Sequence, residues 1–320
     1  MSFLILIIGF VLLIKGADIF VEGASSIAKR FNVPPMLIGL TIVAMGTSAP
    51  EAAVSVSSSL AGQNDMSIAN VVGSNFFNIL IVLGISAIIA KLPVEKNTIK
   101  KDTPFLLLIS VLLIILNLNG NLSRIDGVIF LLLFVFFLIN MIKCNMRQKN
   151  EDVSIEESAF DVDVIDIPIS KQESLPKTLI FCLIGIIGIV WGGDLVVDSA
   201  TKIATQFGMS PNLVGLTIVA MGTSLPELVT SVIAVKKGET EIAIGNVIGS
   251  NIFNVLLVLG LAAAIHPIAV SSFALIDSIF MTLITLLLYI FIRKDNNLNK
   301  IHGFIFIIIY IVYMGYTIIR

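Results

Sequence analysis

Gly46-Thr-Ser-Ala-Pro-Glu51 returns as Gly222-Thr-Ser-Leu-Pro-Glu227, and Gly73-Ser-Asn-Phe-Phe-Asn78 returns as Gly249-Ser-Asn-Ile-Phe-Asn254. The offset is 176 residues both times. Aligned without gaps, 31–84 and 207–260 agree at 30 of 54 positions. Chance likeness between two apolar runs does not put Pro, Glu, Ser and Asn in register, so the chain carries a duplicated unit.

The motifs lie inside long apolar runs. Of the 320 residues, 57% are hydrophobic and 13% charged, against roughly 45–50% and about 25% in a soluble globular chain. Mean hydropathy is +1.02. A water-facing surface could not accommodate that composition, which reads as an all-α polytopic membrane protein. A spanning helix needs about 20 mainly apolar residues. Ten stretches qualify: 3–22, 34–60, 67–90, 103–119, 124–143, 177–198, 210–235, 241–265, 270–292 and 302–319. The polar segment 144–176 interrupts them and holds eight of the 22 acidic residues, from Glu151 to Glu173. It divides the chain into a first five-helix unit, 1–143, an acidic linker, 144–176, and a second five-helix unit, 177–320. A net charge of −2 leaves no basic footprint for nucleic acid. Cys144 and Cys182 are too few for a disulfide framework. No Lys or Arg precedes Lys15, and the first apolar run continues past it, unlike a cleaved signal peptide.

Charge orients the two units. Of 20 Lys and Arg, 16 fall in loops on one side and three (Arg124, Lys202 and Arg320) on the other, with Lys15 inside the first helix. By the positive-inside rule both termini lie outside and the linker is cytoplasmic, in the cell (inner) membrane. Five helices per unit is an odd number, so matched segments enter the membrane from opposite sides. The expected architecture is ten transmembrane helices in two inverted-topology five-helix repeats. Such repeats form binding sites at their interface near the midplane.

Only Glu51 and Glu227 fall deep within apolar spans, and no Lys or Arg accompanies them. A charged side chain at the bilayer centre costs about 2.5–3.5 kcal/mol on insertion scales, which makes an intramembrane carboxylate a functional candidate. Two carboxylates sharing a site repel unless a proton or a cation intervenes. Around them stand Thr47, Ser48, Ser74, Asn75 and Asn78, with Thr223, Ser224, Ser250, Asn251 and Asn254 in the second unit. Pro50 and Pro226 interrupt the helices and leave carbonyls without donors. Free backbone at membrane depth is tolerated only in a cavity or buried in protein. The outcome is an all-oxygen shell suited to calcium, and to sodium of similar radius, but not to zinc or copper, which take His or Cys. Ser55, Ser57, Ser58 and Ser59 read as hydroxyls bonded back to the preceding turn. Lys15, Asp18, Glu22, Asp194 and Asp198 read as snorkelling interfacial charges. A hydrolase built on Ser48 or Ser224 would lack a His or Lys base, so no enzyme is expected.

These motifs resemble the calcium/cation antiporter superfamily and its sodium/calcium exchanger family, across nearly the whole chain. The resemblance implies a secondary active antiporter that exchanges sodium for calcium by alternating access. It implies that Glu51 and Glu227 are the central cation ligands and that Thr47 and Thr223 give backbone carbonyls. Ser48, Ser74, Ser224 and Ser250 would line flanking sodium sites with carbonyl help from Ala44 and Ala220, and Asn78 and Asn254 would sit at the middle position. The relatives' pattern has Asp where this chain has Asn254, which argues against potassium dependence. Proton/calcium exchange on the same fold is the alternative; an uncoupled cation channel is the rival from another class. No cofactor is expected. Calcium and sodium are cargo, the lipid bilayer is the surroundings, and the sequence carries no signal for an oligomer.

Overall fold

The computed structural model describes residues 2–31, 33–60, 65–156, 174–208 and 220–319. The chain is almost entirely helical. α1 is Ser2–Phe31. α2 is broken into Pro35–Thr47 (α2a) and Ala49–Leu60 (α2b), bent by 47°. α3 covers 65–89 and α4 98–117. α5 is Arg124–Glu156 and α6 is Leu175–Gln206. The described part of α7 is Ala220–Gly222 (α7a) and Leu225–Lys236 (α7b). α8 is Thr240–Ile265, α9 Ser272–Asp295 and α10 Lys300–Ile319.

Among the described residues seven helices are long and apolar enough to cross a membrane, and the bent α2 makes an eighth. The α-helical part of α4, Thr103–Asn117, has only 15 residues. Residues 209–219, where most of the expected seventh span begins, lie outside the described residues. The protein is thus a mostly helical polytopic membrane protein, apolar outside, with a set of polar side chains buried within its apolar core. Phe3, Leu132, Ile311 and their neighbours face outward, whereas Glu51, Glu227, Asn78 and Asn254 are fully buried. In lipid the outward faces need no cover, and buried polar groups must satisfy one another.

Three helix ends depart from the expected spans. α1 runs nine residues beyond 22 and carries Lys29 and Arg30 in its last turn. α6 runs on to Gln206, and α5 continues into the acidic segment as far as Glu156. Hydropathy marks where an apolar run stops, whereas a helix satisfies its own backbone and can continue into the headgroups. The acidic residues 157–173 lie outside the described residues.

α1 and α6 lie along each other on a glycine seam. A methyl carbon at Gly16 would stand 2.7 Å from Ile189 N, and one at Gly185 2.9 Å from Gly16 O. Small residues let membrane helices approach to backbone contact where no hydrophobic force drives them together. The remaining helices are tied at their ends by two short antiparallel pairs. Leu92–Pro93 (β1) pairs with Asn297–Leu298 (β4), and Asn121–Leu122 (β2) with Ile268–Ala269 (β3). Residues 92 and 268, and 122 and 298, again differ by 176. The duplication therefore extends past the aligned window, with each unit's link paired to the other's.

The acidic residues of α1 are not free interfacial charges. Lys237 Nζ lies 2.9 Å from Asp18 Oδ1 and 3.5 Å from Glu22 Oε2. Glu239 Oε1 meets Lys29 Nζ at 3.3 Å and accepts a bond from the Ser25 hydroxyl. A partner six helices away in sequence is invisible to a reading of α1 alone.

Candidate functional site

Both motif glutamates stand in the first turn after a helix break. Ser48 (φ −83°, ψ 7°) separates α2a from α2b. Ser224 (φ −94°, ψ 5°) precedes α7b. Pro50 and Pro226 follow within two residues, where a missing N–H costs nothing because the first turn has no acceptor for it. Glu51 and Glu227 thus sit at helix N-termini, whose partial positive charge favours a carboxylate. On α3 and α8 the second motif ends in a widened π-turn that begins at Asn78 (Asn78–Val82) and at Asn254 (Asn254–Val258). Such turns are frequent at functional sites.

The two breaks interlock. The Ser48 hydroxyl donates to Glu227 Oε1 at 3.0 Å, and the Ser224 hydroxyl reaches Glu51 Oε1 at 3.2 Å. Each serine therefore serves the other unit's glutamate. Within a unit, Ser74 Oγ lies 3.3 Å from Glu51 Oε1 and Ser250 Oγ 3.5 Å from Glu227 Oε1. The asparagines cross over as well. Asn254 Nδ2 donates to Asn75 Oδ1 at 3.0 Å, and Asn78 Nδ2 to Asn251 Oδ1 at 3.1 Å. Three contacts between side chains of this set have no counterpart among the described residues: Ser224 Oγ to Ser74 Oγ at 2.9 Å, Asn254 Nδ2 to Ser74 Oγ at 3.1 Å, and Asn75 Nδ2 to Met281 Sδ at 3.5 Å. Matched positions thus surround the site without making its two sides identical.

Four buried oxygens in this network have no hydrogen-bond partner: Glu51 Oε2, Glu227 Oε2, Asn78 Oδ1 and Asn254 Oδ1. Each can accept a hydrogen bond, and none receives one. Buried polar atoms without partners are rare and call for an explanation.

The remaining candidates support this arrangement. Thr47 Oγ1 lies 3.0 Å from Asn246 Oδ1 and 3.1 Å from Val43 O. Thr223 Oγ1 lies 3.4 Å from Asn70 Oδ1. The Ala44 carbonyl accepts the Ser48 N–H at 3.0 Å and lies 3.3 Å from Thr47 Oγ1. Ala220 opens the described part of α7.

The motif reading missed Asn70 and Asn246. Their Nδ2 atoms donate to the glutamates' own carbonyls, Glu51 O at 3.3 Å and Glu227 O at 3.4 Å. They also donate at 3.0 Å to Ser55 Oγ and Ser231 Oγ. Ser55 is therefore part of the duplicated network rather than a hydroxyl serving only its own turn. Both pairs differ by 176, so the register that exposed the motifs could have found them.

A buried pair of carboxyl groups, reached by crossed hydroxyls inside a polytopic bundle, is an arrangement suited to handling ions within a membrane. The comparisons make the class specific. The sodium/calcium exchanger protein family profile matches residues 1–143 and 177–319. CaxA of Alkalimonas amylolytica, named as an antiporter, is 40% identical over 96% of this chain and 95% of its own. The inner membrane protein YrbG of Escherichia coli is 38% identical over 82% of this chain and 79% of its own. The sodium-calcium exchanger NCX_Mj, soaked with 2.5 mM Na+ and 0.1 mM Ca2+, superposes with a TM-score of 0.83. It shares 33% identity over 98% of this chain and 97% of that one. The chain belongs to the sodium/calcium exchanger family.

Proposed function

We propose that this protein exchanges sodium for calcium across the cell membrane by alternating access, with Glu51 and Glu227 as the central ligands. The observation that carries the site is the set of four buried oxygens, two from carboxyl groups and two from amides, with no donor to meet them. Oxygens of this kind are what a hard cation takes as ligands. Calcium takes six to eight oxygens; hydroxyls of Ser48, Ser74, Ser224 and Ser250 and carbonyls of Thr47, Thr223, Ala44 and Ala220 can make up the number. Sodium occupies the same oxygens at another time in the cycle.

Sharing one site is what enforces exchange. With both glutamates ionised and no ion bound, two charges would sit uncompensated in a low-dielectric interior, and the empty carrier would not reorient. Calcium, or sodium ions, neutralise the pair and allow the site to pass between the two faces. No resident cofactor is needed for this cycle.

The architecture we infer is ten transmembrane helices in two inverted five-helix repeats, 1–143 and 177–320, joined by a cytoplasmic acidic linker at 144–176 and with both termini outside. The crossed strand pairs and the crossed serine–glutamate bonds recur on exchanging the units and support a two-fold relation between them; an odd number of helices per unit makes that relation an inverted one. The 16-to-three split of basic residues supports the orientation.

Glu51→Gln and Glu227→Gln test the site. Each keeps the volume and removes a charge. Calcium uptake into proteoliposomes should be abolished while the purified protein stays monodisperse. Wild-type uptake in either variant would refute the assignment.

A further inference from the structure

An asparagine at a cation site can be turned the wrong way. Its amide presents oxygen on one side and NH2 on the other, and a half-turn about χ2 exchanges them with little change in shape. At Asn254 and Asn78 one orientation offers the cation an acceptor and the other drives N–H donors at it. The described contacts contain a device that decides between them.

We propose that Asn75 and Asn251, which reach no unpartnered oxygen themselves, are positioning residues that hold the amides of Asn254 and Asn78 with their oxygens toward the ion. This rests on the ion site proposed above. Asn75 Oδ1 accepts from Asn254 Nδ2 at 3.0 Å, so a reversed Asn254 would set oxygen against oxygen at that distance. Asn75 cannot turn to accommodate the reversal, because its own Nδ2 donates to the Asn251 backbone carbonyl at 3.3 Å. A backbone carbonyl has no second orientation. The relay therefore runs from fixed backbone, through one amide, to the ion-facing amide. The matched relay runs from the Asn75 carbonyl (3.4 Å) through Asn251 to Asn78 Nδ2 (3.1 Å). All four side chains are buried to within 1% of full burial. Only an amide can receive orientation at one atom and pass it on from the other, which is why Leu, Ser or Asp would not serve at 75 and 251.

This predicts a dependence that packing alone would not produce. Aspartate has oxygen on both sides and needs no orienting. Asn75→Ala should weaken calcium binding about tenfold, on the scale of one hydrogen bond to a charged group. In the Asn254→Asp background the same change should cost nothing. It should even help, because it removes Asn75 Oδ1 from beside the new carboxylate. Calcium titration of the four purified proteins measures this cycle, with melting temperature in ion-free buffer as the control for folding. A loss confined to the Asn254 background supports the relay. An equal loss in both backgrounds overturns it, and so does unaltered affinity in Asn75→Ala. Should Asn75→Ala fail to fold, the mirror cycle of Asn251→Ala with Asn78→Asp decides by the same criteria. Loss of transport in Glu51→Gln alongside an equal loss in both backgrounds leaves the exchanger reading intact and removes only the relay. Calcium titration that detects no binding to the wild-type protein overturns the ion site and the relay together.

Discussion

Gly192→Ala puts the close contact of α1 and α6 under direct test. A methyl carbon at 192 would lie 2.4 Å from Leu13 N and 2.8 Å from both Gly9 O and Leu13 Cα, where ordinary contact begins at 3.4 Å. The shortfall is therefore about 1.0 Å at the nearest atom. All three obstacles are backbone, so no rotamer change relieves them and the helices must part. Overpacking costs roughly 1–3 kcal/mol, and an unyielding backbone places this case in the upper half. Alanine returns about 1 kcal/mol of helix propensity. A net loss of about 1–2 kcal/mol follows. Gly315, with nothing within 4 Å of its added carbon, supplies the reference: Gly315→Ala should hold or gain stability by up to ~1 kcal/mol. The separation should also reach the site, since a methyl carbon at the neighbouring Gly193 would lie 3.5 Å from Pro226 Cγ, beside Glu227. Thermal unfolding of both variants in the same detergent, paired with calcium uptake, reads both effects. Gly192→Ala melting at or above the wild type, as Gly315→Ala should, would refute the seam.

The link between α3 and α4 predicts a pH effect on stability. Burial, then the charges of Glu241 and Asp102, push Glu95 up to about 7 from its usual 4.5. A raised carboxyl contributes its stability in full below 4.5 and loses it as pH climbs through about 7. Glu95→Gln should therefore flatten the fall in melting temperature across that window; an identical fall in both proteins would contradict the assignment. Voltage reports the stoichiometry. With Asn78 and Asn254 neutral, two sodium ions would balance the glutamates, but three supply more driving force, including about 2.3 kcal/mol per 100 mV for the charge moved. We expect exchange to respond to a clamped potential in proteoliposomes; exchange indifferent to voltage means two.

Much of the site was legible in the sequence because its chemistry is unaffordable elsewhere. A glutamate inside an apolar span needs a reason, and finding it twice at one offset supplies that reason. The same logic located Ser48, Ser74, Asn78 and their counterparts. What the sequence withheld was direction. Nothing in the motif says that Ser48 serves Glu227 rather than Glu51, since that follows from how the two units cross in space. Asn70 and Asn246 lay in the aligned window unnoticed, because they bond to backbone carbonyls and carry no charge to attract attention. The ends of α1 and α6 were underestimated for a different reason: hydropathy records the solvent around a helix and not its hydrogen bonds. The pairing of Asp18 and Glu22 with Lys237 required the fold itself.

The central claim is coupling. Purified protein in sodium-loaded proteoliposomes, diluted into sodium-free medium with calcium and with proton and potassium gradients abolished by ionophores, isolates it. The account predicts calcium uptake that rises with internal sodium and vanishes when sodium is equal on both sides. Uptake that ignores the sodium gradient, or that appears only when a pH gradient is imposed, would contradict it.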